Sequence, residues 1–301
     1  MSLIVTGSIG IDTIDAPTGK AENVLGGSCV YFAAAASFFT PVRLVAAVGE
    51  DFPADAAKVF DHFKIDTAGL ERRAGSKTFR WHGKYHTDMN VRDTVDVQLG
   101  VLAEKIPAVP AAYRDSRFVF LANTHPAGQL ELLQSFPQKT LAVADTMDLW
   151  IANEKPALLD LLKRVDGLVL NYEEAFQLTG KTNIVSAGEA ILGLGPTFVV
   201  IKKGEHGAFL LHRDGIGALP AYAARDVIDP TGAGDSFAGG MMGHLAQAGD
   251  TSVASLRKAM AYGTIVASFN IESFSLDRLR EITRSDIDAR LGEYRRMLAW
   301  E

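Results

Sequence analysis

The stretch that most constrains this chain is Asp229-Pro230-Thr231-Gly232-Ala233-Gly234-Asp235. Two glycines bracket an alanine, an acid closes the run, and Ser236-Phe237-Ala238-Gly239-Gly240 opens an apolar stretch reaching about Ala248. Such a run predicts a tight turn feeding the first turn of a helix. The first N–H groups of a helix lack internal partners, and the macrodipole adds positive charge there. With almost no side-chain bulk in the way, an anion can reach those amides, so the segment predicts a phosphate cradle. Asp235 needs a reason to be there, because a carboxylate repels an anion. A base that takes the proton from the group attacking the phosphate supplies one. The plainer structural alternative is a glycine-rich turn in which Asp235 only helps to start the helix.

Composition narrows what surrounds this stretch. A chain of 301 residues, 48% hydrophobic, buries a large core as one large α/β domain or two small ones. The net charge of −6 and the absence of a long Lys/Arg run speak against nucleic acid as a partner; Lys202-Lys203 and Arg295-Arg296 are isolated pairs. A single cysteine, Cys29, allows no intrachain disulfide and makes a soft metal site unexpected. Met1 to Gly7 lacks the basic region and long apolar core of a signal peptide and predicts a buried first strand. The most apolar window, Cys29 to Phe39, is too short to span a membrane. The expectation is a cytoplasmic protein with no membrane partner.

Along the chain, Leu3 to Val5 ends in Gly7-Ser8-Ile9-Gly10, which is not the GxGxxG dinucleotide fingerprint. Residues 13–24 suit a short hairpin or loop, and Gly26-Gly27 opens a helix from Ser28 to Phe39. Arg43 to Val48 is a second buried strand, and Asp51-Phe52-Pro53 starts a helix to about Phe63 with Asp51 as its cap. Between Lys77 and Leu99, Phe79, Trp81, Gly83 and Tyr85 alternate with polar residues, and Asp88-Met89-Asn90 makes a turn. This predicts an antiparallel pair, which must cover a ligand, another subunit or its own domain. From Arg117 strands (118–122, 141–144, 167–170, 198–201, 208–211) alternate with helices (126–136, 154–164, from Tyr172, 185–194). After Asp235 the pattern is helical. Alternating β and α elements predict a mostly parallel sheet covered on both faces.

In such a sheet ligands sit beyond the carboxyl ends of the strands. Asp12, Asn123, Asp145, Asn171 and the Asp229–Asp235 loop all fall there. Asn171-Tyr172-Glu173-Glu174 puts two polar groups at one helix start, where they can order water around Mg²⁺ or simply cap the helix. Gly26-Gly27 allows backbone to approach a substrate closely, or forms a plain turn. In Lys202-Lys203-Gly204-Glu205-His206-Gly207 either lysine can approach a phosphate, or the segment is a charged turn.

The string DPTGAGDSFAGG resembles the C-terminal signature of the PfkB (ribokinase-like) carbohydrate kinase family, and the likeness extends over most of the chain. It implies one ribokinase-like three-layer αβα domain over residues 1–301, with a mostly parallel central sheet and a small β lid from segments about 13–24 and 76–99. It also implies that Asp235 is the catalytic base and that the amides of Gly232, Ala233 and Gly234 form the anion hole. Asp12 becomes the acid for paired hydroxyls. Gly26, Gly27, Tyr31, Phe79, Trp81 and Asn123 join it around the acceptor; at Tyr31 the family has an asparagine. Lys202, Lys203, Gly204, Gly207, Thr231 and Asn270 fall to the nucleotide, although the loop 268–273 departs from the family's Gly-Ala ending. Asn171 and Glu174 order Mg²⁺ through water. ATP is the implied donor, some members bind a monovalent cation such as K⁺, and family lids pair as a homodimer clasp.

The expected activity is therefore ATP-dependent phosphorylation of a hydroxymethyl group on a sugar or sugar derivative. Tyr31 and the aromatic lid favour a nucleoside such as adenosine as the alternative, because a base can stack there. A non-catalytic ligand sensor on the same fold is a third reading, opposed by the intact DPTGAGD and NYEE strings.

Overall fold

Leu3, Ile4 and Val5 give strand β1 (Leu3–Thr6) no polar face, so it must be covered on both sides. Leu3 and Val5 enter one cluster of buried residues and Ile4 enters a second, across the sheet. The computed structural model describes residues 2–299; residues 1, 300 and 301 of the expected domain lie outside them.

After β1 the chain makes a hairpin, β2 (Gly10–Ala16) and β3 (Gly19–Gly26), then helix α1 (Ser28–Ser37) and strand β4 (Val42–Gly49). Helix α2 (Ala54–His62) leads to β5 (Asp66–Arg73), followed by β6 (Phe79–Tyr85) and β7 (Arg92–Gln98). Strand β8 (Phe118–Leu121), helix α3 (Pro126–Leu133) and strand β9 (Leu141–Asp145) begin the regular alternation. It continues through α4 (Asp148–Asn153), α5 (Lys155–Leu162), β10 (Gly167–Asn171), α6 (Tyr172–Thr179), α7 (Ile184–Leu192) and β11 (Phe198–Lys202). Strands β12 (Ala208–His212) and β13 (Gly215–Leu219) close the sheet. Helices α8 (Ala233–Ala248), α9 (Val253–Asn270), α10 (Asp277–Glu281) and α11 (Arg284–Leu298) finish the chain.

The main sheet has nine strands in the order β13-β12-β11-β10-β9-β8-β1-β4-β5. All neighbours from β11 to β5 are parallel, and only the pairs β11–β12 and β12–β13 are antiparallel. Helices α1, α2 and α8–α11 cover one face; α3–α7 cover the other. The result is the three-layer αβα arrangement with its sites at the carboxyl ends of the parallel strands. Edge strand β5 carries Asp, Glu and Arg among its apolar residues, which masks its strand pattern in the sequence. Helix α1 packs closely on α8, since a side chain at Gly239 would meet the Phe32 carbonyl and one at Gly243 the Ala36 backbone. This close packing fixes the N-terminus of α8 over the sheet. Phe32 stacks on Phe120 of β8 with ring centroids 4.3 Å apart.

A second, four-stranded sheet, β3-β2-β6-β7, forms the lid. Asp51, expected from the sequence to cap α2, instead secures this lid. Pro53 holds the cap position without a side-chain bond. The Asp51 carboxylate accepts from the Thr78 N–H at 2.7 Å and pairs with Arg80 at 3.4 Å. The segment 268–273 also differs from a plain loop, because α9 continues through Asn270. No helix among the described residues is long and apolar enough to cross a membrane.

Candidate active site

The Asp229–Asp235 loop crosses the carboxyl end of the sheet and enters α8. The Asp229 carboxylate, with no exposed surface, accepts from the Thr231 N–H at 2.9 Å. The Ile228 N–H donates to the Ile271 carbonyl at 2.8 Å. Gly232 has φ +74°, a conformation other residues resist, and a side chain there would run into the Tyr31 ring. Asn270 pins the loop from behind: its Nδ2 donates to the Thr231 carbonyl at 2.8 Å and its Oδ1 accepts from Ser236 Oγ at 3.1 Å. Fully buried and doubly bonded, Asn270 positions the loop and does not line the cleft, contrary to its expected nucleotide contact.

The Ala233 N–H bonds back to the Pro230 carbonyl at 3.1 Å. Among the described residues the amides of Gly232, Gly234 and Asp235 have no such partner, which leaves them as open donors at this turn. Of the expected set Gly232, Ala233 and Gly234, Ala233 already has a backbone partner in the turn.

Asp235 occupies the third position of α8 and is half-buried at the cleft floor. Burial, then Asp145, pushes its carboxyl well above the usual range, and Lys202 and Arg92 pull it back. Asp145, at the end of β9, is also raised by burial and opposed by Lys202. Glu174 is pushed up to about 7 by burial and by Asp145. Its Oε2 accepts from the Asn171 N–H at 2.7 Å while Asn171 Oδ1 accepts from the Glu174 N–H at 2.8 Å. Asn171 and Glu174 therefore cap α6 reciprocally, and the carboxylate keeps acceptor capacity beyond that bond. Asp145 raises both Glu174 and Asp235, yet among the described residues no group of three such side chains stands close enough to hold a metal directly; the residues fit a hydrated Mg²⁺, whose charge would ionise them and whose waters they would accept from.

The two lysines separate clearly. A side-chain carbon at Gly234 would lie 2.8 Å from Lys202 Nζ, so Lys202 stands against the cradle. Lys203 turns away, with Nζ 6.0 Å from the centroid of the Tyr172 ring and its N–H donated to the Gly207 carbonyl at 2.7 Å. Strand alternation explains this: Lys202 ends β11 and Lys203 begins the turn. Gly204 (φ +51°) receives the lid tip, since a side chain there would strike Asn90.

At the other end of the cleft Asp12 is 3% exposed, and its Oδ1 has no hydrogen-bond partner among the described residues. Burial pushes it up to about 7, with Asp229 adding to the rise. A side chain at Gly26 would collide with the Asp12 carboxylate, and one at Gly27 would meet the Ser8 carbonyl. Tyr31 is only 1% exposed and its hydroxyl is likewise unpartnered. Its ring is the support beneath Gly232 and not an open stacking face. The open aromatic walls are Phe79 and Trp81 from the lid and Trp150 from α4. Asn123 is held between Trp150, whose Nε1 donates to its Oδ1 at 2.9 Å, and Met147 Sδ at 3.0 Å. Thr231 Oγ1 donates to the Tyr85 hydroxyl at 3.1 Å, tying the lid to the loop. The cleft enclosed by these walls has a volume of about 1710 Å³.

The structure thus brings Asp12, Gly27, Tyr31, Phe79, Trp81, Asn123, Asn171, Glu174, Lys202, Gly204, Gly207, Thr231 and the Gly232–Asp235 turn around one cleft, and leaves Gly26, Lys203 and Asn270 outside its lining. Arg92 and Trp150 join it without a local sequence signal, whereas Tyr85 shares the alternation of Phe79 and Trp81. Asp145 had one, an acid at the end of a buried strand.

Known proteins resemble this chain in sequence and in fold. The profile described as "pfkB family carbohydrate kinase" matches residues 16–281. The chain is 29% identical over 247 residues to a cytidine kinase of Thermococcus kodakarensis, covering 80% of this chain and 87% of that protein. It shares its fold with the nucleoside kinase of Methanocaldococcus jannaschii (TM-score 0.78, 20% identity, 97% of this chain and 98% of that one). The same holds for the nucleoside kinase of Burkholderia thailandensis in complex with inosine (TM-score 0.77, 19% identity, 97% and 98% covered).

The buried acids give a signature in stability. An unfolded Asp titrates near 3.9, whereas Asp12 in the fold titrates at about 7. Between these values the native state holds a proton that the unfolded state has lost, so this contribution to stability falls as pH rises from about 4 to 7. Asp12→Asn removes the dependence. Its Tm relative to the parent should rise by roughly 3 °C or more between pH 5 and pH 8 in thermal melts of the ligand-free protein; a constant difference would mean that Asp12 ionises like an exposed carboxyl.

Proposed function

This chain belongs to the pfkB carbohydrate kinase family, and we propose that it transfers the γ-phosphoryl group of ATP to a hydroxymethyl group of a nucleoside. The observation that carries the chemistry is the placement of Asp235 beside the open amides of Gly232 and Gly234, with Lys202 against the same turn. The acceptor oxygen attacks phosphorus, its proton passes to the Asp235 carboxylate, and the bond to the bridging oxygen breaks with the electron pair leaving on ADP. Cradle amides and the Lys202 ammonium meet the negative charge on the phosphoryl oxygens. Asp235 must be ionised to act, and cations in the cleft lower its raised pKa. Bound Mg²⁺ would neutralise phosphate charge, held through water by Asn171 and Glu174 with Asp145 beside them. Asp229 Oδ2, buried and without a partner among the described residues, suits a monovalent cation next to the loop.

Asp12 supports recognition of a vicinal diol, as on a ribose, by accepting from both hydroxyls. Phe79, Trp81 and Trp150 offer apolar faces that a bare sugar would leave largely uncovered and a base would occupy. The cytidine kinase relative points the same way. At the donor end Tyr222, Val227, Ala267 and Ile271 line the cleft where adenine would lie. A free sugar is the second reading, favoured by Asp12, which would hold a sugar diol equally well. The exposed edge strand β7, with Val95 and Val97 about half exposed, supports pairing of two lids in a homodimer. A reaction that draws on ATP and a small polar acceptor suits the cytoplasm.

Asp235→Asn should lower turnover by about 10²–10⁴, the size of a general-base contribution, while ATP affinity by calorimetry stays near the parent value. Near-normal turnover of this variant would defeat the base assignment. ADP release measured over nucleosides and free pentoses and hexoses should give kcat/KM at least about tenfold higher for a nucleoside, the worth of one base-stacking contact. A free sugar as the better substrate selects the second reading, and ligand binding with no turnover selects a sensor.

A further inference from the structure

We propose that Arg290, on the last helix and outside the cleft, is a positioning residue for the donor base: its guanidinium backs the Tyr222 ring, against which the base of the nucleotide stacks. Resting on the kinase reading above for a nucleotide in the cleft, this gives α11 a part in donor binding.

Tyr222 lies in segment 220–228, between β13 and the anion loop, which forms neither helix nor strand. It lines the cleft and is half-buried. An aromatic wall on such a segment stays in place only where other side chains fasten it. Side chains of α11 do so here. The Tyr222 hydroxyl donates to Glu293 Oε2 at 3.0 Å, and the Tyr294 hydroxyl donates to the Pro220 carbonyl at 2.5 Å. The Arg290 guanidinium carbon stands 5.0 Å from the centre of the Tyr222 ring and 3.3 Å from that of Phe269, near the end of α9. Arg290 is itself held: its Nη2 pairs with Glu272 at 2.7 Å and its Nη1 donates to Ser268 Oγ at 3.0 Å. Among the described residues none from α11 lines the cleft.

A guanidinium is planar, always charged, and stacks on aromatic faces. With Glu272 and Ser268 fixing its orientation, Arg290 supports Tyr222 from the helical layer and leaves the cleft side of the ring to a base. Phe269, Arg290, Tyr222 and the base then form one stack. Little else at this end can hold a base by hydrogen bonds. Val227, Ala267 and Ile271 are apolar, and the Ser268 hydroxyl already donates to the Ile265 carbonyl at 2.7 Å. The base is therefore gripped mainly by its flat face, and the position of the Tyr222 ring decides how well. The competing role for Arg290 is to tie α11 to α9 through Glu272 and Phe269, with no bearing on the nucleotide.

The test is calorimetry on the full chain with two probes in Mg²⁺: ADP, and tripolyphosphate, which has no base. Arg290→Gln should weaken ADP about tenfold, the worth of one stacking contact, and tripolyphosphate less than about twofold. In turnover with the best acceptor of the panel above, KM for ATP should rise by a similar factor, with kcat and acceptor KM within about twofold of the parent. Tyr222→Ala should weaken ADP in the same way. The double variant should bind ADP no more weakly than Tyr222→Ala alone, because Arg290 acts through that ring. Arg290→Lys keeps a cation for Glu272, which preserves the fold, but offers no plane to the ring; it should weaken ADP by less than Arg290→Gln and again spare tripolyphosphate. Equal losses for the two probes, additive losses in the double variant, or unchanged ADP affinity would make Arg290 a tie between helices and defeat the proposal while the kinase reading stands. The expected affinity pattern with no turnover on any acceptor removes the kinase reading and leaves the stack. A parent protein that binds neither probe overturns both.

Discussion

Gly232 rests on the face of the Tyr31 ring, in a conformation and at a distance that leave no room for a side chain. This contact sets the position of the reactive turn. Tyr31 belongs to α1, whose alanine-rich face lies close against α8, and α8 carries Asp235 at its start. Asn270 at the end of α9 fastens the same turn from the opposite side through Thr231 and Ser236. Three helices of one layer therefore meet at a loop with almost no side chains of its own. The main sheet adds Asp145 and Lys202 from the ends of β9 and β11, on either side of β10, and the lid adds Tyr85 and Arg92. A glycine in the left-handed region, supported by a buried ring, keeps the amides directed at the cleft without filling it.

The electrostatics of the cleft follow from the same burial. Asp12, Asp145, Glu174, Asp229 and Asp235 are all shifted upward, mainly by desolvation. Without a ligand, several of them favour the protonated form, which avoids packing like charges into a small volume. Cations and an acceptor rich in hydroxyls supply what the acids lack. The ligand-free fold consequently gives up some stability in a site that becomes favourable only when filled. The unpartnered oxygens of Asp12, Asp229 and Tyr31 are the visible mark of that compromise.

Much of this could be seen in the sequence because Gly232, Ala233 and Gly234 leave three successive positions almost without side chains, closed by an acid, and that combination is a strong signal. The strand rhythm was equally plain, since strands covered on both faces are uninterrupted apolar runs. What escaped depends on contacts across the chain. Arg92 is one exposed residue among many until the lid folds over the cleft. Lys202 and Lys203 differ only by where β11 ends. Asp51 looks like a cap from its neighbours Phe52 and Pro53, yet its partners are Thr78 and Arg80, in the lid. Tyr31 reads as a stacking surface until the α1–α8 packing places Gly232 on top of it.

The most direct test of phosphoryl transfer to a hydroxymethyl oxygen is ³¹P NMR of a reaction containing the protein, Mg²⁺, ATP and a nucleoside. The geometry predicts loss of the γ-phosphate signal and growth of a phosphomonoester resonance split by the two protons of the hydroxymethyl carbon, alongside ADP. A spectrum in which ATP is consumed only to inorganic phosphate, or not at all with any nucleoside or sugar, would contradict it.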